Sequence, residues 1–195
     1  GAIGERLAHY GIDLPADGGD DARARQTVYA RFENDGCETS RDSSGAPLYR
    51  RGYKTHITGA PLRETIAAAL LRASGIERCD TLIDPMCGSG TFSIEAAHIW
   101  SGRRPGAERA FAFELWPAFR SAAFAHLKKT LGPDASAARP ASGKSFFCAD
   151  IDPSAVETAS GNALRAGVEG VVFPRQADFF AAGPEGVPWS SSRSA

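Results

Sequence analysis

Three aspartates stand where predicted strands end, and their carboxylates are the groups of this chain best placed to do chemistry. Asp84, Asp150 and Asp178 each follow a run of the kind that forms a short buried strand. In an open parallel sheet, ligands bind beyond the carboxyl ends of the strands, so we expect the three carboxylates around one cleft. Such a cleft suits a ligand that carries positive charge together with hydroxyl or amine donors.

A glycine-rich turn follows the first of these aspartates. Residues 84–91 read Asp-Pro-Met-Cys-Gly-Ser-Gly-Thr and lead from the predicted strand into a predicted helix. Gly88 and Gly90 allow positive φ angles and let the backbone approach a ligand closely. Ser93 takes the place of the third glycine of the dinucleotide fingerprint, and this loop contains no Gly-Lys-Ser/Thr. The loop therefore disfavours phosphate-bearing ligands, among them the nicotinamide cofactor of an oxidoreductase.

S-adenosylmethionine carries the donors that this cleft would bind and has no phosphate: an ammonium, a sulfonium, a ribose diol and an adenine amine. Asp150 could accept both ribose hydroxyls, and Asp84 could face the ammonium, directly or through water. Asp178 could accept from the adenine amine, with Ile151 or Phe179 packing on the ring. Each aspartate taken alone could instead cap a helix, but the three together favour the cofactor.

The elements that must hold these residues alternate between strands and helices. The turn signal Asn34-Asp35-Gly36 predicts a hairpin with strands at 26–32 and 37–41, preceded by a short helix at 3–9. Apolar spacing then predicts three strands, at 81–83, 145–149 and 171–175. It also predicts four helices, at 61–74, 91–100, about 114–131 (interrupted or started at Pro117) and 153–166. The first of these helices is expected to bury Leu62, Ile66, Ala69 and Leu70. This alternation is typical of right-handed crossovers onto a parallel sheet, so the predicted fold class is α/β.

Composition places the chain among globular proteins. Of its 195 residues, 43% are hydrophobic and 23% charged, which excludes wholesale disorder, and the net charge of −1 argues against a nucleic-acid binder that relies on overall positive charge. The sequence has no membrane-spanning run and no signal pattern, so we expect a cytoplasmic protein without a membrane partner. The cysteines lack metal-ligand spacing, so we expect buried thiols and no bound metal.

A local basic segment could still meet nucleic acid. Arg50, Arg51 and Lys54 are interleaved with Tyr49 and Tyr53, a composition typical of an RNA-facing surface. The same pattern also fits a solvated loop whose aromatic rings pack on the sheet. The sequence alone leaves these two interpretations equally open.

Residues 84–91 resemble the cofactor loop of RNA guanine-N2 methyltransferases that carry an N-terminal THUMP domain, most closely those that modify large-subunit ribosomal RNA. The resemblance covers most of residues 1–180, and a series of this length is far less expected by chance than one glycine loop. The other similar stretches, in the same order, are Leu-Tyr-Arg-Arg-Gly-Tyr at 48–53, Ala-Pro-Leu-Arg-Glu-Thr at 60–65, Phe-Ala-Phe-Glu-Leu-Trp-Pro at 111–117, Asp-Ile-Asp-Pro at 150–153 and Asn-Ala at 162–163.

This resemblance implies an incomplete Rossmann-like methyltransferase sheet in residues 47–195, preceded by the end of an α+β THUMP domain in residues 1–46. It implies S-adenosylmethionine as the cofactor, large-subunit ribosomal RNA as the partner, and a part for residues 60–65 in closing the pocket. The residues expected to bind the cofactor are Asp84, Pro85, Met86, Cys87, Gly88, Ser89, Gly90, Asp150, Ile151, Asp178 and Phe179. The residues expected to contact RNA are Arg50, Arg51 and Lys54.

One motif of that family is absent. Its members carry Asn or Asp followed by Pro-Pro-Tyr or Pro-Pro-Phe beyond the strand that comes after Asp178, where the motif would bind the flipped target base. This chain contains no such motif, so we assign no catalytic residue. Since Met86 is its only methionine, we interpret the chain as a fragment, inactive alone, of a ribosomal RNA methyltransferase. The alternatives are a non-catalytic RNA- or SAM-binding module and a transfer RNA guanine-N2 methyltransferase.

Overall fold

The computed structural model describes Glu5, His9 and residues 27–54, 62–107, 109–130 and 143–181. The chain divides into two units, one made of Gly1–Gly45 and Phe111–Phe119, the other of Ala46–Ala110 and Arg120–Ala195. The helix predicted at 3–9 lies outside the described residues apart from Glu5 and His9, which are helical. The sequence alone does not indicate that residues 111–119 join the first unit.

The first unit contains the predicted hairpin. Strand β1 (Val28–Glu33) pairs antiparallel with strand β2 (Gly36–Arg41). Asn34 and Asp35 connect them with φ angles of 49° and 60°, which these two residue types tolerate and which suit the twist of a tight hairpin. The hairpin prediction is therefore confirmed.

Residues 111–119 contain a short 3-10 helix where the sequence predicts the start of an α-helix. The 3-10 helix is Ala112–Leu115, and Glu114 Oε1 accepts the backbone N–H of Phe111 at 2.9 Å. Trp116 is extended (ψ 141°) because Pro117 disfavours helical backbone in the residue before it. The interruption predicted at Pro117 is present, whereas both predicted starts, 114 and 117, are too early: the α-helix begins at Ser121.

A three-stranded parallel sheet lies at the centre of the second unit. Its strands are β3 (Thr81–Asp84), β4 (Ser145–Asp150) and β5 (Val172–Gln176), in the order β3-β4-β5. The register pairs Asp84 with Cys148 and Asp150 with Gln176, so the three strands end at the same edge. This arrangement confirms the predicted parallel sheet.

The described residues of this unit form four α-helices: α1 (Glu64–Ser74), α2 (Thr91–Ser101), α3 (Ser121–Thr130) and α4 (Pro153–Arg165). Asp152 caps α4 by accepting the Ser154 N–H at 2.8 Å, with Pro153 in the first turn. The core packs alternate residues of β4 and β5 against α2 and α4. Its fully buried members include Phe146, Cys148, Val172, Ile94, Ala159 and Ala163. None of the helices in the described ranges is long and apolar enough to cross a membrane.

The buried face of α1 differs from the predicted one. Ile66 and Leu70 are 47% and 53% exposed, while Glu64, Ala67 and Leu71 are buried. The small side chain of Ala67 allows close packing against α2, and the Glu64 carboxylate is neutralised by a lysine. The predicted face was wrong: Leu62 is half-buried and Ala69 is exposed, and the buried face combines Ala67 and Leu71 with Glu64, whose charge is balanced by Lys54.

Candidate functional site

The glycine loop after β3 is fastened to the end of β4 by two hydrogen bonds. The Cys87 N–H donates to the Ala149 carbonyl at 2.8 Å, and the Gly88 N–H donates to Asp150 Oδ2 at 2.9 Å. Gly88 has a φ of 51°, and no atom outside Gly88 and its two chain neighbours lies within 4 Å of the position that a Cβ would occupy there. The loop is thus held by the end of β4, and the space next to Gly88, where a side chain would point, is open.

Asp84, the last residue of β3, supplies the first carboxylate of the site. Its Oδ1 accepts the Met86 N–H at 3.4 Å. Partial burial raises the pKa of Asp84; the Met86 N–H partly offsets this, and the negative charge of Asp150 raises the pKa further. A cationic group above the loop would favour the ionised carboxylate, so this position suits an ammonium or a sulfonium.

Asp150 supplies the second carboxylate and retains acceptor capacity. Its Oδ2 binds the Gly88 N–H, and its Oδ1 accepts the Asp152 N–H at 3.0 Å. Each carboxylate oxygen has two acceptor positions, so one position per oxygen remains for a ligand. Two remaining acceptors on one carboxylate match the two hydroxyls of a ribose.

The third carboxylate, that of Asp178, lies two residues beyond β5 and is exposed. Its Oδ1 accepts the N–H groups of Phe180 at 2.9 Å and Ala181 at 3.3 Å. Exposed apolar side chains stand at the same edge of the sheet, with Phe179 49% and Ile151 64% exposed. These residues fit a nucleoside that carries a cation, since they combine acceptors with apolar surface for a base.

The other predicted loop residues shape the turn. Pro85 is half-buried, Met86 is 70% exposed, and Cys87 is buried. The Ser89 hydroxyl is also buried, 3.3 Å from Thr91 Oγ1. A hydrogen bond with the neighbouring Cys148 thiol and burial both raise the pKa of Cys87, so this thiol is a packing group and no nucleophile. Within the described ranges, no three His, Cys, Asp or Glu residues are grouped to hold a metal ion.

Gly90→Ala is expected to destabilise the fold by about 1–3 kcal/mol, because Gly90 has a left-handed φ of 77° and an added Cβ would lie 3.1 Å from the Cβ of Ala159. Urea denaturation measures this difference. Gly170→Ala is the matched control, since nothing lies within 4 Å of that position. Equal stability of the two variants would contradict the close packing of this loop on α4.

The predicted basic surface requires a correction. Arg51 and Lys54 point inward, with side chains 10% and 9% exposed. Arg51 pairs with Glu95 at 3.5 Å and Lys54 with Glu64 at 3.6 Å, and both glutamates are buried. These two cations are held by buried carboxylates, so they do not form an exposed RNA-facing surface. Arg50 is exposed.

The structure contains a buried polar cluster around Glu95 that the sequence does not predict. The Tyr53 hydroxyl donates to Glu95 Oε1 at 3.1 Å, and His98 Nδ1 lies 4.0 Å from the same oxygen. Burial raises the pKa values of Glu95 and Tyr53, and burial lowers that of His98 to about 4. The one sequence signal was Tyr53 beside Arg51, the pattern that also suggested packed aromatic rings.

Asn162 is part of the family resemblance, which gives it no role. In the structure it lies on α4 and contacts the glycine loop. It is fully buried, and its Nδ2 donates to the Ser89 carbonyl at 2.9 Å. A signal was present in the sequence, because asparagine is unfavourable inside a helix and here lies on the alanine-rich face of α4. Burial of an asparagine there is tolerated only when its amide has hydrogen-bond partners.

Several known proteins are similar to this chain. A family model described as the RMKL-like methyltransferase domain matches residues 51–184. The ribosomal RNA large subunit methyltransferase K/L of Vibrio campbellii is 37% identical over 152 residues, covering 77% of this chain and 22% of the relative. The protein of the same name from Alcanivorax borkumensis is 40% identical over 149 residues, covering 74% and 21%. The chain thus spans about a fifth of the length of these relatives.

The fold is similar to that of a solved protein. The crystal structure of SMU.472 complexed with SAH (S-adenosylhomocysteine) matches with a TM-score of 0.72 and 32% identity. The match covers 90% of this chain and 45% of that one. The similarity confirms the α/β class that the sequence predicts.

Proposed function

Because the chain belongs to the family of RMKL-like methyltransferase domains, we propose that it is the cofactor-binding part of an S-adenosylmethionine-dependent RNA methyltransferase. The proposed substrate is the N2 amine of a guanine in large-subunit ribosomal RNA, in keeping with the names of its relatives. The observation that carries the proposal is the open glycine loop whose Gly88 N–H binds Asp150 at 2.9 Å, beside the carboxylate of Asp84. The SAH bound to SMU.472 supports the choice of cofactor.

The proposed roles follow from the chemistry of each group. Asp150 accepts the ribose hydroxyls, Asp84 faces the ammonium, and Asp178 accepts from the adenine amine between Ile151 and Phe179. When bound, S-adenosylmethionine supplies an electrophilic methyl group. The residues of this chain contribute orientation, since a methyl group held in line with the attacking amine reacts at a high effective concentration.

We extend the proposal to the rest of the chain. Residues 1–46 are the end of a THUMP-like RNA-binding domain, residues 47–195 are the first part of the methyltransferase domain, and the enzyme acts in the cytoplasm. The support is the family resemblance of the sequence. Within the segment 48–54, the exposed Arg50 is the proposed RNA contact.

Calorimetric titration of this chain with SAH, NAD and ATP tests the cofactor. We expect saturable binding of SAH and no heat from NAD or ATP, because the loop lacks the fingerprint that binds pyrophosphate. Binding of NAD without binding of SAH would overturn the proposal.

Transfer of a labelled methyl group tests the substrate. Unmodified large-subunit ribosomal RNA and unmodified transfer RNA are offered to this chain and to a longer chain that contains the target-base motif. We expect transfer to ribosomal RNA by the longer chain alone. The alternative that the sequence leaves open is a non-catalytic RNA- or SAM-binding module. It would be supported if the chain bound SAH and RNA while neither protein transferred methyl.

Asp84→Asn is expected to weaken SAH binding about 10-fold at neutral pH, since it removes one charge from the ammonium site. The raised pKa of Asp84 means that its carboxylate takes up a proton above the ordinary value of 3.8. Wild-type affinity should therefore fall as the pH drops toward that raised pKa, and the variant should lose this dependence. Calorimetry at a series of pH values measures both effects.

The control for this variant is Asp80→Asn, which changes an exposed carboxylate that pairs with Lys144 at 2.9 Å. It should leave SAH affinity and its pH dependence unchanged. The thermal midpoint of ligand-free Asp84→Asn should not fall, because the partly buried charge is costly in the folded state. Equal affinities of the two variants would contradict the ammonium site.

A further inference from the structure

A chain of hydrogen bonds connects the glycine loop with the segment before α1. Asn162 Nδ2 donates to the Ser89 carbonyl at 2.9 Å, and Asn162 Oδ1 accepts from Arg165 Nη2 at 2.6 Å. Arg165 Nε in turn donates to the Tyr53 carbonyl at 2.8 Å. We propose that Asn162 is a positioning residue for the cofactor loop and that Arg165 fixes the orientation of its amide. The binding part of this inference rests on the proposed function.

The Ser89–Gly90 peptide group is held at both of its ends. Asn162 binds its carbonyl oxygen, and its N–H, which belongs to Gly90, donates to the Cys87 carbonyl at 2.8 Å. Gly88 and Gly90, on either side of Ser89, have φ angles of 51° and 77°. Glycine reaches many other conformations at low cost, so this turn needs fixed partners to keep one shape. Asn162 is the side chain that fixes its central carbonyl.

The burial of Asn162 shows how specific this contact is. The residue is 0% exposed, and a buried amide without partners would be strongly unfavourable. The two ends of the amide are also distinguished, because a guanidinium donates and never accepts hydrogen bonds. Arg165 therefore holds Oδ1 toward itself and leaves Nδ2 to face Ser89. A reversed amide would set an oxygen against the Ser89 carbonyl.

The consequence for binding is preorganisation. The loop carries the Gly88 N–H that binds Asp150, and the ligand sits above this backbone in the proposed function. A loop that already has its bound shape loses less conformational freedom when the ligand arrives. Asn162 touches no ligand in this proposal, so its effect reaches the ligand through the loop.

Asn162→Asp is the direct test, because it keeps the size and the acceptor for Arg165 but replaces the donor by a carboxylate oxygen. We expect deuterium exchange of the ligand-free peptide 84–92 to become faster, with exchange of α4 (153–165) unchanged. We also expect SAH affinity to fall about 10-fold by calorimetry. Ser160→Ala is the control on the same helix, since its hydroxyl binds only a carbonyl of α4, that of Val156 at 2.8 Å.

Arg165→Met is the second variant and is useful if Asn162→Asp fails to fold. It keeps the Asn162 amide but removes the guanidinium that orients it. We therefore expect smaller increases in the exchange rate of the loop and a smaller loss of SAH affinity than for Asn162→Asp. If a folded variant showed an unchanged rate of deuterium exchange in peptide 84–92, the inference would be overturned. An equal increase in the exchange rate of α4 would also overturn it, because that is the result expected if Asn162 only stabilised the helix. If wild-type chain fails to bind SAH, the proposed function is wrong, while exchange in the ligand-free loop still decides the role of Asn162.

Discussion

Asp150→Ala is expected to lower the affinity of the chain for SAH by about 100-fold or more. The carboxylate accepts the N–H groups of Gly88 at 2.9 Å and Asp152 at 3.0 Å, and charge-assisted bonds contribute about 1.5–3 kcal/mol each. In the proposed function its remaining lone pairs accept the ribose hydroxyls. The variant thus loses the support of the loop and a ligand contact together. Isothermal titration calorimetry measures the difference.

Asp152→Ala is the matched control for this variant. Asp152 lies two residues away and caps α4 through the Ser154 N–H at 2.8 Å. Removal of the cap should lower the thermal midpoint by a few degrees and leave SAH affinity almost unchanged. If both variants lost affinity equally, the effect would come from a loosened α4, and the assignment of Asp150 to the ribose would be wrong.

Glu95→Ala is expected to have the largest effect on stability, a loss of about 3–5 kcal/mol, because it leaves a buried charge without its partner. Glu95 is 3% exposed and pairs with Arg51 at 3.5 Å while accepting the Tyr53 hydroxyl at 3.1 Å. The alanine variant leaves the Arg51 guanidinium and the Tyr53 hydroxyl buried without the carboxylate that both of them bind. Urea unfolding of the ligand-free chain gives the change in free energy.

Glu77→Ala provides the comparison, since it breaks an ion pair that lies at the surface and is shorter than the Arg51–Glu95 pair. Glu77 lies 2.8 Å from Arg72, and the two side chains are 57% and 62% exposed. Exposed pairs contribute about 0–1 kcal/mol, so this variant should unfold almost like wild type. A similar loss in both variants would mean that burial does not set the strength of the Arg51–Glu95 pair.

The sheet, the hairpin and the glycine loop could be predicted because their signals are local. A run of four apolar residues marks β4, Asn34-Asp35 marks the turn, and Gly88 and Gly90 mark the loop. Each of these patterns reflects the backbone conformation that neighbouring residues prefer, and the tertiary contacts favour the same conformation. The three aspartates follow from this sheet, since parallel strands bring their carboxyl ends to one edge.

The buried ion pairs could not be predicted, because their partners are far apart in sequence. Arg51 meets Glu95 across 44 residues, and both look like surface residues when taken alone. From the sequence, an RNA surface and a loop packed on the sheet are therefore equally open, and only the structure shows that Arg51 and Lys54 pair with carboxylates in the interior. The same holds for Asn162, whose partner Ser89 lies 73 residues earlier. Periodicity counts apolar side chains and gives no account of such pairs.

The attachment of the loop to β4 has a consequence for insertions and deletions. Asp150 ends β4, and the preceding residue, Ala149, binds Cys87 through its carbonyl. Removing one residue from this strand would shift every later position by about 3.3 Å and turn its side chain to the opposite face of the sheet. The carboxylate would then leave the Gly88 N–H. Residues within this strand can therefore be exchanged for others of similar size, whereas their number is fixed by a loop more than fifty residues upstream.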